Sequence, residues 1–129
     1  VAARRRRPLE TPFDLVRVIA EAVPQWYRRS RIHFATRTFQ ALRIAVNHEL
    51  ENIPRGLRAA CRVLGSHGRI VTISFHSLED RIVKNFFREP DMRRQFLPLS
   101  PKPIRPTRQE IFENPRARSA ILRAFEKNA

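Results

Sequence analysis

The 129-residue chain is expected to adopt an α/β fold, read as the edge of a sheet with helices packed against it. Helical spacing of apolar residues fills the first half, one β-branched run stands near the middle, and a second strand-length apolar run closes the chain. In order, the elements read helix, helix, strand, helix, arm, strand. That is too few strands for a complete doubly wound domain.

Thr11-Pro12-Phe13-Asp14 has the features of a helix start: Thr11 as the N-cap, Pro12 at the first helical position, and Asp14 near the exposed N–H groups. Leu15, Val16, Ile19 and Val23 continue at helical spacing until Pro24. Trp26, Tyr27, Arg28, Arg29 and Arg31 form a connecting segment in which aromatics alternate with cations. It can stack single-stranded RNA, or it can be a Trp under a loop among solvated charges. From Thr36 to Ile53, Phe39, Leu42, Val46, Leu50 and Ile53 recur at steps of three and four, the clearest amphipathic helix in the chain. Phe39, Leu42 and Val46 are assigned to the core.

Pro54 is read as the start of another helix, with Gly65 as its C-cap. The run Arg69 to Phe75 reads as a buried strand. Ser77, with Asp80 three residues on, caps the next helix, whose apolar face is Ile82, Val83, Phe86 and Phe87. Six of the ten prolines lie between Pro90 and Pro115, which is therefore expected to be an extended, irregular arm at about 90–115. Arg118 to Lys127 reads as a terminal strand.

Arginine supplies 23 of the 26 basic residues, against 12 acidic ones, for a formal net charge of +14. Guanidinium forks suit phosphates and stack on bases, so the excess favours nucleic acid, although a GC-rich genome also raises Arg over Lys. The excess is spread evenly: +5 over 1–31, +4 over 32–89 and +5 over 90–129. The single cysteine, Cys61, excludes an internal disulfide and sits at an apolar helix position, where it reads as a small core residue. Neither an apolar run of membrane length nor a signal-peptide pattern is found, and a cytoplasmic location is expected. Val1 followed by Arg4 to Arg7 reads as a start inside a longer frame, or as an alternative start codon.

The densest polar cluster is Ser74-Phe75-His76-Ser77-Leu78-Glu79-Asp80-Arg81, at a strand-to-helix junction. Ligands of open α/β sheets bind at the carboxyl ends of strands, where the next helix presents free N–H groups. There His76 can act as a base, Phe75 can stack a nucleobase, and Glu79 or Asp80 can accept a proton or an exocyclic amine. The alternative is a plain cap by Ser77 and Asp80, with Arg81 paired to Glu79 or Asp80. None of the four histidines stands at zinc-ligand spacing, so no metal site is expected. Gly65-Ser66-His67-Gly68 precedes a strand rather than following one, and reads as a turn.

Three ordered blocks carry a resemblance: His33-Phe34-Ala35-Thr36-Arg37-Thr38-Phe39-Gln40-Ala41-Leu42-Arg43-Ile44 with Val46 to Leu50, then Gly68 to Lys84, then Glu113-Asn114-Pro115-Arg116-Ala117-Arg118-Ser119. They resemble the bacterial ribosomal RNA small-subunit methyltransferase H family. The resemblance covers nearly the whole chain. It implies an S-adenosyl-L-methionine-dependent enzyme that methylates the exocyclic N4 of a cytidine in small-subunit rRNA. It further implies the C-terminal part of a class I, Rossmann-like methyltransferase fold, with residues 1–33 a remnant of its inserted helical domain and 34–129 part of the methyltransferase domain. Ser74, His76, Glu79 and Asp80 then lie near the target base. Arg37, Arg43, Phe75, Arg81, Lys84, Asn114, Arg116 and Arg118 face RNA, and the partner is small-subunit rRNA or the 30S particle.

Two departures stand out. Phe34 replaces the proline usual after the first histidine, which relaxes the approach to the helix without abolishing it. The family's glycine-rich cofactor loop and the acidic residue after it have no counterpart here, so no cofactor-binding residue is assigned and the N-terminal half, or a complementary chain, is expected to be required. Methyl transfer depends on holding the sulfonium carbon in line with the amine, so the chain is expected to be inactive alone. A non-catalytic basic RNA-binding paralogue is the second reading. A DNA-binding regulator using Arg37, Arg43 and Asn47 is a third.

Overall fold

A computed structural model describes residues 2–129, and Val1 lies outside them. The chain divides into two compact units, Val1–Asn47 and His48–Ala129.

The first unit is helical: α1 (Ala2–Arg6), α2 (Pro12–Ala22), α3 (Gln25–Arg28) and α4 (Thr36–Asn47). At the start of α2 the Thr11 hydroxyl accepts from the Asp14 N–H while the Asp14 carboxylate accepts from the Thr11 N–H, the reciprocal cap expected there. The connecting segment contains the short helix α3, where Trp26 is 75% exposed and meets Tyr27 edge-on. Ile19 and Ala35 are the buried apolar residues of this unit. The core assignment of Phe39, Leu42 and Val46 is corrected: Leu42 is 45% and Val46 75% exposed, and Phe39 is half-buried. Helical spacing marks a stripe on α4, but among the described residues nothing covers it fully.

The second unit runs α5 (Glu49–Val63), β1 (Arg69–Ser74), α6 (Ser77–Phe86), α7 (Pro90–Gln95), β2 (Phe96–Pro98), α8 (Arg108–Glu113), a 3-10 turn (Pro115–Ser119) and β3 (Ile121–Lys127). The single helix expected over Thr36–Ile53 is in fact two, broken at His48, whose φ of 50° is left-handed and cannot continue a right-handed helix. The boundary therefore falls at His48 rather than at Pro54, which lies inside α5. The expected arm is also corrected. Pro90 opens α7 at a position where its missing N–H costs nothing, Thr107 caps α8, and Phe96–Pro98 pairs into the sheet.

The strands order β1-β3-β2, and every pairing is antiparallel. The mixed α/β class therefore stands, and the parallel Rossmann-like arrangement is not displayed by these three strands. Ile70 and Ser74 of β1 are buried, whereas Val71 and Ile73 are 58% and 57% exposed. The strand expected to be buried is a half-buried edge strand, with one face covered by helices.

Leu57 and Cys61 from α5 and Val83 and Phe86 from α6 meet Ile70, Phe87, Phe96 and Phe125 in one core. Full burial of each large side chain contributes about 1.5–3 kcal/mol. Phe87 stacks on Phe125 at 3.7 Å and takes Phe96 edge-on at 5.5 Å. Burial pushes the Cys61 thiol pKa up, as suits a core residue. Lys127 of β3 donates to the Leu64 carbonyl at 2.6 Å and the Cys61 carbonyl at 3.4 Å, placing a cation at the negative end of α5. The turn before β1 requires Gly68, since a Cβ there would lie 2.7 Å from Leu64 Cδ2 and 2.9 Å from the Gly65 oxygen.

Candidate functional site

β1 delivers Ser74, 4% exposed, to the start of α6. The chain stays extended through His76, at φ −146°, before turning helical at Ser77. The N-cap is therefore His76 and not Ser77, which correspondingly moves the acidic partner three residues on from Asp80 to Glu79. His76 Nδ1 accepts from the Glu79 N–H at 3.4 Å. In return, Glu79 Oε2 accepts from the Phe75 and His76 N–H groups at 2.8 and 3.2 Å. A carboxylate holding two backbone donors at a helix N-terminus is fixed in place.

The imidazole is oriented by the same bonds. Because Nδ1 accepts, the proton of the neutral ring resides on Nε2. That atom is buried, has no hydrogen-bond partner of good angle, and stands 3.3 Å from Glu79 Oε1. Glu49, at the start of α5, brings a ligand atom within 4.8 Å of those of His76 and Glu79. Such a trio has the composition of a metal site, but here one ring nitrogen is spent as acceptor and the other carries the proton. The arrangement serves a proton-handling pair better than an ion.

Asp80 turns from the junction toward β3, where Arg123 donates to both carboxylate oxygens, at 2.7 and 3.1 Å. These bonds hold the Asp80 carboxyl below its usual range, helped by the Arg123, Lys84 and Arg105 charges. The alternative pairing of Asp80 or Glu79 with Arg81 is corrected, since Arg81 is exposed and Asp80 is taken by Arg123. Phe75 is 54% exposed beside the junction, and Lys84 is half-buried one turn further along α6 than Asp80.

The other sequence-selected residues lie apart from this cluster. Asn114 caps the 3-10 turn by accepting from the Arg116 N–H at 3.2 Å, with Arg116 and Arg118 exposed on the same turn. Arg37 and Arg43 belong to α4 of the first unit. There Arg37 lines a hollow of about 330 Å³ with Trp26, Tyr27 and His33, and Arg43 lines one of about 490 Å³ with His33, Phe39 and Gln40. Reading the sequence missed Arg123, because nothing local marks a residue 43 positions from its partner. The arginine excess was the only available signal.

The described residues do not fit S-adenosyl-L-methionine, whose sulfonium and ammonium are both cationic. A cleft of about 720 Å³ on the second unit is lined by five cationic side chains and no carboxylate, the wrong sign for that ligand. The glycine turn at 65–68 leads into β1 rather than out of a strand into a helix, so it offers no loop to embrace the cofactor.

The family described as the MraW methylase family matches residues 1–128. The chain is 56% identical over 122 residues to the Ribosomal RNA small subunit methyltransferase H of Thermotoga neapolitana, covering 93% of this chain and 40% of that protein. It is 53% identical over 127 residues to the protein of that name from Pseudothermotoga lettingae, covering 95% and 41%. To the protein of that name from Methylococcus capsulatus it is 50% identical over 141 residues, covering 100% and 46%. The chain thus spans less than half the length of these relatives. No helix of the described residues is long and apolar enough to cross a membrane.

Proposed function

Because the chain belongs to the MraW methylase family, we propose that it forms the RNA-facing, C-terminal part of an enzyme that methylates the N4 amine of a cytidine in small-subunit rRNA. Residues 1–33 are the remnant of a helical insertion and residues 34–129 the end of the methyltransferase domain. The donor, S-adenosyl-L-methionine, supplies the methyl group and is held by the N-terminal half or by a complementary chain. The reaction is cytoplasmic, on free rRNA or on the 30S particle.

The observation that carries this reading is the junction itself. His76 and Glu79 meet where β1 gives way to α6, with Ser74 buried at the end of β1 and the Glu79 carboxylate immobilised by two backbone N–H groups. An exocyclic amine is a hydrogen-bond donor that must shed a proton on methylation, and acceptors pre-aimed at it need no reorganisation. Glu79 Oε1 and the Ser74 hydroxyl are those acceptors, His76 keeps Glu79 in place, and Asp80 fixes α6 to β3 through Arg123. The exposed Phe75 ring stacks on the base. Arg37, Arg43, Arg81, Lys84, Asn114, Arg116 and Arg118 engage the RNA, mostly through phosphates.

The test is methyl incorporation into 30S-derived rRNA from labelled S-adenosyl-L-methionine. The chain alone is expected to transfer nothing. A fusion carrying the N-terminal part of the Thermotoga neapolitana relative should transfer, and Glu79→Gln in that fusion should reduce the rate by about 10²–10⁴-fold. If the fusion transfers nothing while the chain still binds RNA in a salt-sensitive manner, the non-catalytic RNA-binding reading replaces this one.

A further inference from the structure

The buried Nε2–H of His76 needs an acceptor that Glu79 does not give it. Nδ1 takes the Glu79 N–H at 3.4 Å, so the ring proton is on Nε2, an atom buried without a hydrogen-bond partner. Glu79 Oε1 stands 3.3 Å from that atom, but out of line with its N–H. An unpaired buried donor costs about 1–3 kcal/mol, enough to favour any acceptor that can reach it.

Glu49 can reach it. It is the first residue of α5, directly after the left-handed His48, and one of its carboxylate oxygens lies within 4.8 Å of a His76 ring nitrogen and of a Glu79 oxygen. Leu57 and Cys61 of α5 share one core with Val83 and Phe86 of α6, so this carboxylate is carried by a packed element and not by a loop. Closing to a bond of about 2.9 Å takes a movement of about 2 Å, which the torsions of a half-buried Glu side chain supply. Glu79 has no such latitude, because its Oε2 is pinned by the Phe75 and His76 N–H groups.

Which carboxylate takes the proton matters chemically. If Glu79 Oε1 accepted from His76, the oxygen aimed at the exocyclic amine would already be spent. A separate acceptor removes that conflict. The bond made at one ring nitrogen also fixes the state of the other, so an acceptor at Nε2 keeps Nδ1 available to cap α6.

We infer that Glu49 is a positioning residue of the junction. Its carboxylate receives the His76 Nε2–H, which holds the ring in the tautomer that caps α6 and leaves Glu79 Oε1 to the amine. The last step rests on the reading of Glu79 as acceptor of the substrate amine; the hydrogen bond and the tautomer do not.

NMR of the ¹⁵N-labelled chain, recorded through the His76 ring nitrogens, tests the bond without methyl transfer. The wild-type ring should carry its proton on Nε2 alone, with that proton in slow exchange with water. Glu49→Ala should speed the exchange at least tenfold and populate both tautomers. Glu49→Gln should keep the wild-type pattern, since its amide oxygen still accepts. Glu51→Ala removes a charge from the same first turn of α5 and should leave the ring unchanged. Should Glu49→Ala unfold, Glu49→Asp replaces it: the shortened side chain keeps the charge but loses the bond, so Asp should behave as Ala and unlike Gln. A proton on Nδ1 in the wild type, an unchanged ring in Glu49→Ala, or a pattern in which Asp rescues and Gln does not would overturn the inference. In the fusion with the Thermotoga neapolitana N-terminal part, Glu49→Ala should lower kcat about tenfold with KM for the rRNA unchanged, and Glu49→Gln should restore most of the rate. A normal ring response with no transfer by the fusion sinks the proposed function alone, whereas transfer with a ring indifferent to Glu49 sinks this inference alone.

Discussion

Asp80 answers to β3 across 43 residues of chain, and its protonation is tied to the stability of the fold. Its carboxyl is held below the usual range in the folded state, as are those of Glu126, by the Arg69 guanidinium and His67, and Asp14, chiefly by Thr11. A depressed folded pKa stabilises at pH above the unfolded value, and that stability is lost as pH falls through the folded one. Stability should therefore be level near neutrality and decline below about pH 4, with Asp80→Asn flattening the decline and costing about 1.5–3 kcal/mol at pH 7. Urea melts from pH 7 to pH 3 measure both. A variant with the wild-type acid limb would show that the Arg123 pair contributes nothing. Residues whose partners are local were readable in advance: Thr11 with Asp14, and the polar cluster at 74–81. Arg123 was not, because proximity created by a sheet leaves no spacing in the sequence.

Among the elements, the glycine turn before β1 and the cap of α6 set where the junction falls. Gly68→Ala forces a methyl against the Gly65 carbonyl, a backbone atom that cannot yield cheaply. A loss of about 1–3 kcal/mol is expected in chemical denaturation, whereas Gly56→Ala, with open space around it, should be neutral or stabilising. The elements misplaced by sequence reasoning share a physical cause. Periodicity runs unbroken through His48 because apolar spacing does not register a single left-handed residue. In the proline-rich stretch, prolines stand at the starts of short helices and at the end of β2, so a composition that suggests an irregular arm here punctuates regular pieces. The cap shifted by one residue because histidine is an uncommon N-cap, although the Glu three residues later carried the capping-box signal.

For the whole molecule, charge and exposed apolar surface dominate behaviour. With +14 spread along the chain, RNA affinity should fall steeply with salt, and a plot of log affinity against log salt should give a slope set by the number of phosphates neutralised. A flat plot would remove the electrostatic basis of RNA binding. β1 is an edge strand presenting Val71 and Ile73 to solvent, with Phe75 just beyond it. Such an edge recruits other chains, so sedimentation of the isolated chain should show self-association that Val71→Lys suppresses. Monodisperse behaviour with a sharp cooperative melt would instead mark the chain as self-sufficient.

The sheet order has one more consequence, in the time domain of synthesis. β3 is the central strand, flanked by β1 and β2, yet it is translated after both. On the ribosome each of its neighbours waits without a partner in this sheet, β1 for about fifty residues of further elongation, or several seconds at ordinary bacterial rates. During that interval Ile70 and Phe96 have no Phe125 to pack on. A nascent chain of this kind is expected to engage holding chaperones until β3 emerges, and synonymous codons that slow translation between β1 and β3 should lower soluble yield without changing any contact in the finished fold.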